Sequence, residues 1–219
     1  MKIVVISDIH GRIDRLDGAA ADLAGADLVV LTGDITNFGR RQEAERMLAP
    51  IEAHNDRILA VTGNCDYPEV EVVLQERGYS LQAAHRIEDG VAWIGLGGSL
   101  PAPGGTPNEH SEEELADLLE GASQGLPHNQ PLLLISHQPP FDTQLDRIRA
   151  GAHVGSRSVR QFIERHQPLA CFTGHIHEAA GIDHLGDTVL VNPGPLAGGG
   201  YAVATLNEDG RFDVELRRT

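Results

Sequence analysis

The chain has 219 residues, of which 41% are hydrophobic and 22% charged, a composition typical of a folded globular protein. Seventeen basic and thirty-two acidic residues give a formal net charge of −15, which argues against broad binding to nucleic acid or to an anionic membrane. With only two cysteines, no signal-peptide pattern and no apolar stretch of roughly 18 residues, we expect a cytoplasmic protein without disulfides or membrane spans.

The first part of the sequence alternates short β-branched runs with amphipathic segments. In chain order these predict strand 3–6, helix 12–24, strand 27–32, helix 42–54, strand 58–62 and a short helix 68–77. Three strand–helix units in succession predict a parallel or mixed sheet with helices packed on it.

The rest of the chain begins with a predicted antiparallel pair, strands 80–87 and 91–96, joined at Asp89-Gly90. A loop rich in Gly and Pro follows, and then Ser111 and Glu114 form a capping box for a helix. Further along we expect strand 132–136, a long loop 138–155, helix 156–166, strand 169–173 and four short β-runs, 180–184, 188–191, 201–206 and 212–216. The four β-runs predict an antiparallel meander that supplies a second sheet. Without a repeat or a linker, the chain is expected to form one domain over residues 1–219.

Potential metal ligands follow five of the predicted buried strands, at the point where each strand ends. They are Asp8, His10, Asp34, Asn64, His137, His175 and His177. Because ligands gather at the carboxyl ends of the strands in such sheets, we expect these side chains to lie close together. Their oxygen and imidazole donors suit Mn²⁺, Fe²⁺, Co²⁺, Ni²⁺ or Zn²⁺ better than Ca²⁺. Seven donors exceed the needs of one tetrahedral ion, so two ions that share a carboxylate is the simplest interpretation.

The ordered motifs are Asp8-x-His10, Gly33-Asp34, Gly63-Asn64-x-Asp66, His137 and Gly174-His175-x-His177. In this order they resemble the calcineurin-like metallophosphoesterase superfamily. The stretch Val191-Asn192-Pro193-Gly194 is similar to the small, cap-less bacterial and archaeal members, and Gly63-Asn64-Cys65-Asp66 to predicted phosphoesterases among them. The resemblance implies an α/β fold, a four-layer α/β/β/α sandwich of the metallophosphatase-like type, with the site at one edge of the paired sheets.

The resemblance also implies two divalent transition-metal ions, with Mn²⁺ expected first and Fe, Ni, Co or Zn as alternatives. The first ion is assigned to Asp8, His10, Asp34 and His177. The second is assigned to Asp34, Asn64, His137 and His175, with Asp34 bridging. Two cations about 3.5–4 Å apart clamp phosphoryl oxygens and acidify a bridging water. The implied reaction is therefore hydrolysis of a phosphodiester or a phosphomonoester by a metal-bridging hydroxide, with the catalytic candidates Asp8, Asp34, Asn64, Cys65 and His137.

Cys65 departs from the pattern, because many relatives carry histidine after the asparagine, and that histidine is thought to contact phosphate or to protonate the leaving group. A thiol with a pKa of roughly 8.5 is neutral at pH 7, whereas a histidine there is available as a cation. Hydrolysis with a leaving group that needs strong protonation should be slow, and an activated ester or a diester should be favoured. The resemblance associates the cysteine variant with phosphodiesterase activity.

Other residues have two interpretations each. Asp66 either orients a ligand or caps the turn before Pro68. His153, in the long loop, either reaches a substrate phosphate or lies on the surface. The nearby cations bind an anion or are solvated: Arg147, Arg149 and Arg157.

The alternatives to a phosphoester hydrolase are a non-catalytic scaffold module of the same fold, a nuclease and a protein phosphatase. The filled ligand positions weigh against the scaffold, and the acidic charge and lack of capping regions weigh against the nuclease. We expect a small phosphoester substrate, no membrane or nucleic-acid partner, and leave a homo-oligomer open.

Overall fold

The computed structural model describes residues 1–126 and 130–219. Its eleven strands are β1 Lys2–Ile6, β2 Leu28–Leu31, β3 Ile58–Ala60, β4 Ala84–Glu88, β5 Val91–Leu96, β6 Leu132–Ser136, β7 Ala170–Phe172, β8 Gly181–Leu185, β9 Thr188–Asn192, β10 Gly200–Leu206 and β11 Phe212–Arg218. Its α-helices are α1 Ala20–Ala24, α2 Arg41–Glu52, α3 Pro68–Glu76, α4 Glu112–Ser123 and α5 Arg157–His166. Short 3₁₀ turns lie at Leu16–Ala19, Gln144–Asp146, His177–Ala179 and Leu196–Gly198.

The strands form two sheets. The first has the order β11-β10-β1-β2-β3, and the second β4-β5-β6-β7-β9-β8. Strands β1, β2 and β3 are mutually parallel, as are β5, β6, β7 and β9, so their carboxyl ends point the same way within each sheet. Helices connect most of these parallel strands, which confirms the prediction of an α/β fold with a parallel or mixed sheet.

The side chains of each strand point alternately to its two faces, and they pack into three apolar layers. In β1, Val4 packs with the core against α1, α2 and α3, whereas Val5 packs between the two sheets. In β6, Leu133 faces the sheet interface and Leu134 packs toward α4 and α5. Successive strand residues point to opposite faces, and both faces of the central strands are covered, which explains their unbroken apolar runs. The order of layers is therefore helix, sheet, sheet, helix, as expected.

The prediction that the last four β-runs supply the second sheet is wrong. Strands β8 and β9 join the second sheet beside β7, but β10 and β11 join the first sheet, where β10 runs antiparallel to β1. The centre of the second sheet instead consists of β5, β6 and β7, which are connected through α4 and α5. A hairpin can pair with the edge of either sheet, and its local pattern does not indicate which edge.

The predicted helix 12–24 is also shorter than expected, since α1 spans only Ala20–Ala24 after a 3₁₀ turn. Leu16 N donates to Ile13 O in the tighter i−3 pattern. Asp17 and Gly18 are weak helix formers, which explains the short helix. The capping box at Ser111 and Glu114 is confirmed, with both of its reciprocal hydrogen bonds present. One domain over residues 1–219 remains a prediction.

Within residues 1–126 and 130–219, no helix combines the length and the apolar character needed to cross a bilayer.

Candidate metal centre

The predicted ligands lie on turns that follow β1, β2, β3, β6 and β7, at the carboxyl ends of both sheets. Four of the seven have a left-handed backbone: φ is 51° at Asp8, 47° at His10, 50° at Asp34 and 66° at His175. Such values are uncommon outside glycine and cost on the order of 1–3 kcal/mol each. The rest of the fold maintains these sharp turns, which direct the side chains into one space.

Hydrogen bonds join the turns to one another. Asp8 N donates to Gly33 O at 3.1 Å, and His10 N donates to Asp34 O at 2.8 Å, which ties the β1 turn to the β2 turn. Across the sheets, His137 Nδ1 lies 2.8 Å from the carbonyl oxygen of Thr32. Because a carbonyl only accepts, Nδ1 carries a proton, and Nε2 is the atom that faces the other ligand candidates.

At two positions of the motifs, only glycine fits, because side-chain oxygen atoms of neighbouring turns lie too close to the backbone for a Cβ atom. A Cβ on Gly63 would lie 2.0 Å from Asp34 Oδ1, and a Cβ on Gly174 would lie 2.0 Å from Ser7 Oγ and 2.7 Å from Asp8 Oδ2. No side chain fits at these distances. The glycines that precede Asn64 and His175 therefore allow carboxylates to approach the neighbouring backbone.

The first predicted ligand group converges. His177 Nε2 lies 3.2 Å from Asp8 Oδ1 and 3.1 Å from His10 Nε2, and His10 Nε2 lies 3.5 Å from Asp34 Oδ2. Ligand atoms about 2.1 Å from a tetrahedral cation are about 3.4 Å apart. The observed spacings fit a cation held by Asp8, His10 and His177, and Asp34 adjoins this group through His10.

The second group is more deeply buried. His137 Nε2 lies 3.0 Å from Asn64 Oδ1 and 3.5 Å from Asp34 Oδ2. A ligand atom of His175 is within 4.8 Å of one on each of Asp34 and His137. His137 and Asn64 are almost inaccessible to solvent. An amide, a carboxylate and two imidazoles therefore converge on a second position.

Asp34 lies between the two groups. Its Oδ2 is 3.5 Å from both His10 Nε2 and His137 Nε2, while its Oδ1 accepts a hydrogen bond of 2.8 Å from Cys65 N. The backbone donor fixes the carboxylate plane, and the other oxygen faces both positions. Asp34 thus lies within reach of a ligand candidate in each group.

The electrostatics of the centre keep its carboxylates charged. Burial alone would raise the pKa of Asp8, but the hydrogen bond from His177 and the nearby His137 hold that pKa well below its usual range. Burial alone would also raise the pKa of Asp34, but the nearby His137 outweighs burial and lowers that pKa. Buried carboxylates that remain ionised attract cations into a space that water cannot screen well.

The imidazoles differ in protonation. Burial alone would lower the pKa of His137, but Asp34 and Asp8 raise it to about 9. Burial, followed by repulsion from His137, lowers the pKa of His175 to about 4. His175 is therefore neutral and ready to coordinate at pH 7, whereas His137 holds a proton that a cation would displace.

Asp66 orients the turns that carry the ligands, which resolves its two interpretations. Its fully buried carboxylate accepts hydrogen bonds from Ile35 N at 3.1 Å, Thr36 N at 2.8 Å and Gly63 N at 2.8 Å. These donors belong to the turns after β2 and β3. Asp66 therefore holds Asp34 and Asn64 in register, and its role extends beyond a turn cap.

Sequence reasoning missed some supporting side chains. Asn108 donates through Nδ2 to Gly63 O at 3.1 Å, and its backbone N donates to Asn64 O at 3.2 Å. Ser7 Oγ donates to Asp8 Oδ2. Asn108 lies in a loop rich in Gly and Pro, where no sequence pattern indicates a role in the centre. Ser7 directly precedes the predicted ligand Asp8, so its position could have indicated a supporting role.

Cys65 lies beside the first group. Its sulfur is within 4.8 Å of a ligand atom on each of His10 and Asp34, and Asn64 Nδ2 lies 3.6 Å from it. Burial and then the Asp34 carboxylate raise the pKa of the thiol. Cys65 is therefore a neutral thiol at the edge of the centre.

Comparison with known proteins places this geometry in context. A sequence model described as calcineurin-like phosphoesterase matches residues 1–179, a span that contains every predicted ligand. An uncharacterized protein of Methanocaldococcus jannaschii is 37% identical over 199 residues, which cover 89% of this chain and 88% of that protein.

Solved structures share the fold at low sequence identity. The TT1561 protein of Thermus thermophilus has a TM-score of 0.69 at 17% identity, covering 98% of this chain and 97% of its own. A dimetal phosphatase from Danio rerio has a TM-score of 0.65 at 15% identity, covering 100% of this chain and 96% of its own.

Proposed function

We propose that this chain, which belongs to the calcineurin-like phosphoesterase family, hydrolyses small phosphoesters with the help of two divalent metal ions. The observation that carries the proposal is the position of Asp34, whose Oδ2 is 3.5 Å from a histidine of each ligand group. The similar fold of a dimetal phosphatase supports the same assignment. The expected cofactor is Mn²⁺, with Fe, Ni, Co or Zn as alternatives.

When bound, divalent cations would supply Lewis acidity for the phosphoryl oxygens and would lower the pKa of a water molecule that acts as nucleophile. The chain supplies the framework. Asp8, His10 and His177 would hold the first ion, and Asn64, His137 and His175 the second, with Asp34 shared. The hydrogen bond from His137 to Thr32 O fixes the ring orientation, so that Nε2 faces the ligand space.

We propose further that the substrate is a phosphodiester in preference to a phosphomonoester. The neutral Cys65 thiol donates a proton weakly, so the site lacks the cationic donor that a poor leaving group requires. A diester with a good leaving group depends less on that proton. Cys65 is thus the residue that sets the preference.

The experiment is hydrolysis of bis(p-nitrophenyl) phosphate and p-nitrophenyl phosphate by protein loaded with Mn²⁺. Asp34→Asn and His175→Ala should abolish turnover, whereas Asp209→Asn, on an exposed turn, should leave it unchanged. An absence of turnover across a broad panel of phosphoesters and metals would refute the proposal and favour the scaffold alternative.

A further inference from the structure

A short hairpin, residues 147–153, projects from the long loop and carries two arginines. Arg147 and His153 form an antiparallel bridge at its base. Ile148 N donates to Ala152 O at 3.0 Å, and Gly151 N donates to Ile148 O at 2.8 Å. We call residues 147–153 the arginine hairpin.

The base of the arginine hairpin is held by a buried carboxylate. Asp146 is fully buried and accepts hydrogen bonds from Thr143 N at 3.0 Å, Gly155 N at 2.9 Å and Asp142 N at 3.1 Å. His153 Nδ1 lies 2.7 Å from the same carboxylate. These bonds fix the base of the hairpin, and they give His153 a structural role in holding it.

The arginine hairpin lies at the rim of the metal centre. Arg149 N donates to Glu178 Oε1 at 3.2 Å, and Glu178 directly follows the predicted ligand His177. The Gln144–Asp146 turn also lies against the His177–Ala179 turn. The hairpin is thus positioned by the same turn that presents His177.

The two arginines of the hairpin lack carboxylate partners in an otherwise well-paired chain. Of seventeen lysines and arginines, twelve have a side-chain nitrogen within 4.0 Å of a carboxylate oxygen. The five that do not, all within the part of the chain that the structure describes, are Arg15, Arg147, Arg149, Arg157 and Arg218. Arg157 stacks on Phe141, and Arg218 donates to Gly198 O. Arg15, Arg147 and Arg149 are exposed, and their guanidinium groups have no hydrogen-bond partner among the described residues. Arg147 and Arg149 differ from Arg15 in lying together on the hairpin that contacts Glu178.

From these observations we propose that the arginine hairpin binds a second phosphate group on the substrate, apart from the phosphate that is hydrolysed. The inference rests on the proposed function and narrows its substrate class to phosphoesters with an additional phosphate. With 32 acidic and 17 basic residues, the surface as a whole repels such an anion. Charges more than about 8 Å away are largely screened at physiological salt, so the local attraction depends on the two exposed guanidinium groups, opposed by the Glu178 carboxylate beside them. Guanidinium also matches phosphate in geometry.

The test compares adenosine 3′,5′-bisphosphate with adenosine 5′-monophosphate as ligands of the Mn²⁺-loaded protein, by titration calorimetry. The two ligands differ only in the second phosphate. The bisphosphate should bind about tenfold more tightly to the unsubstituted protein, a difference of about 1.4 kcal/mol, since hydrogen bonds between charged groups are the strong ones. In the double variant Arg147→Ala/Arg149→Ala this advantage should fall below about twofold, with the affinity for the monophosphate unchanged.

The control for net charge is Arg57→Ala/Arg211→Ala, which removes two ion-paired arginines at the opposite edge of the sheets. Arg57 directly precedes β3, and Arg211 lies in the turn between β10 and β11. The control should keep the tenfold advantage. Equal binding of both ligands by the unsubstituted protein, an advantage that survives in the hairpin variant, or its loss in the control would each overturn the inference.

Turnover of bis(p-nitrophenyl) phosphate, measured in parallel, tests the proposed function separately. This diester has no second phosphate, so the hairpin variant should hydrolyse it within about twofold of the unsubstituted rate. Turnover without a bisphosphate advantage would refute the hairpin inference alone. A bisphosphate advantage without turnover on any phosphoester would refute the hydrolase and leave the hairpin as an anion-binding element. A loss of turnover in the hairpin variant would contradict the separation of binding from chemistry.

Discussion

The carboxylate of Asp66 is bonded twice to Thr36, whose backbone N and side-chain Oγ1 both lie 2.8 Å from Oδ1. Burial and then the neighbouring Asp34 charge raise the pKa of Asp66 to about 6. In Asp66→Asn, the amide NH₂ replaces one of the two carboxylate oxygens. Because NH₂ cannot accept, at least one backbone N–H that now donates to Asp66 loses its hydrogen bond. We expect the Mn²⁺ affinity to fall about 10–100-fold, as for other residues that orient ligands.

The measurement for Asp66→Asn is titration of the metal-free protein with Mn²⁺, alongside its thermal unfolding. Asp209→Asn, an exposed substitution of the same chemistry, should leave both unchanged. Wild-type Mn²⁺ affinity in Asp66→Asn would show that the bonds to the two turns do not position the ligands.

Gly174→Ala should disrupt the first ligand group, because the added Cβ would lie 2.0 Å from Ser7 Oγ and 2.7 Å from Asp8 Oδ2. The displaced carboxylate should weaken metal binding by at least about tenfold, and the strain should lower stability by about 1–3 kcal/mol. Gly121→Ala is the matched control, since a Cβ there meets nothing within 4 Å in helix α4. That control should gain up to about 1 kcal/mol in the free energy of unfolding. Equal effects of the two substitutions, by metal titration and denaturant unfolding, would contradict the close approach.

Cys65→His tests the residue assigned to substrate preference. A histidine can donate as a cation, so turnover of p-nitrophenyl phosphate should rise relative to that of the diester by about tenfold or more. Cys171→Ala should leave the ratio unchanged, because Cys171 is buried in the helix-side core of β7. An unaltered ratio of mono- to diester rates in Cys65→His would remove the basis for a diester preference.

Metal binding should weaken in acid. His137 has a pKa of about 9 in the metal-free protein, so below that pH it holds a proton that the cation must displace. The apparent Mn²⁺ affinity should therefore rise by about tenfold per pH unit from roughly pH 6 to 8, with at least one proton released. Titration calorimetry in buffers of different ionisation enthalpy counts that proton. An affinity independent of pH over this range would show that His137 is already neutral.

The sequence predicted most of the strands, because the central ones are covered on both faces and carry unbroken apolar runs such as Val4 and Val5 in β1. It also predicted which side chains meet, because the ligands follow parallel strands whose carboxyl ends share an edge. It did not predict how the last two hairpins divide between the sheets. That division depends on which sheet edge is open, a property of the assembled fold.

At the centre, sequence reasoning identified the ligand candidates but not what holds them. The bonds from Asp66 to Ile35 and Thr36 join residues about thirty positions apart. Asn108 acts from a loop without regular structure. Likewise, the position of the arginine hairpin depends on a contact between Arg149 and Glu178, which are 29 residues apart in the sequence.

The pairing of β10 with β1 sets an order of events during synthesis. Lys2 pairs with Thr205, so one edge of β1 stays open until β10 has left the ribosome. At about 5–20 residues per second, that interval lasts roughly 10–40 s. All seven ligand candidates, the last of which is His177, are translated before β10 begins. The nascent chain therefore carries a complete set of metal-binding side chains while the first sheet still has an unpaired inner strand, a period in which premature pairing with another chain is the main hazard.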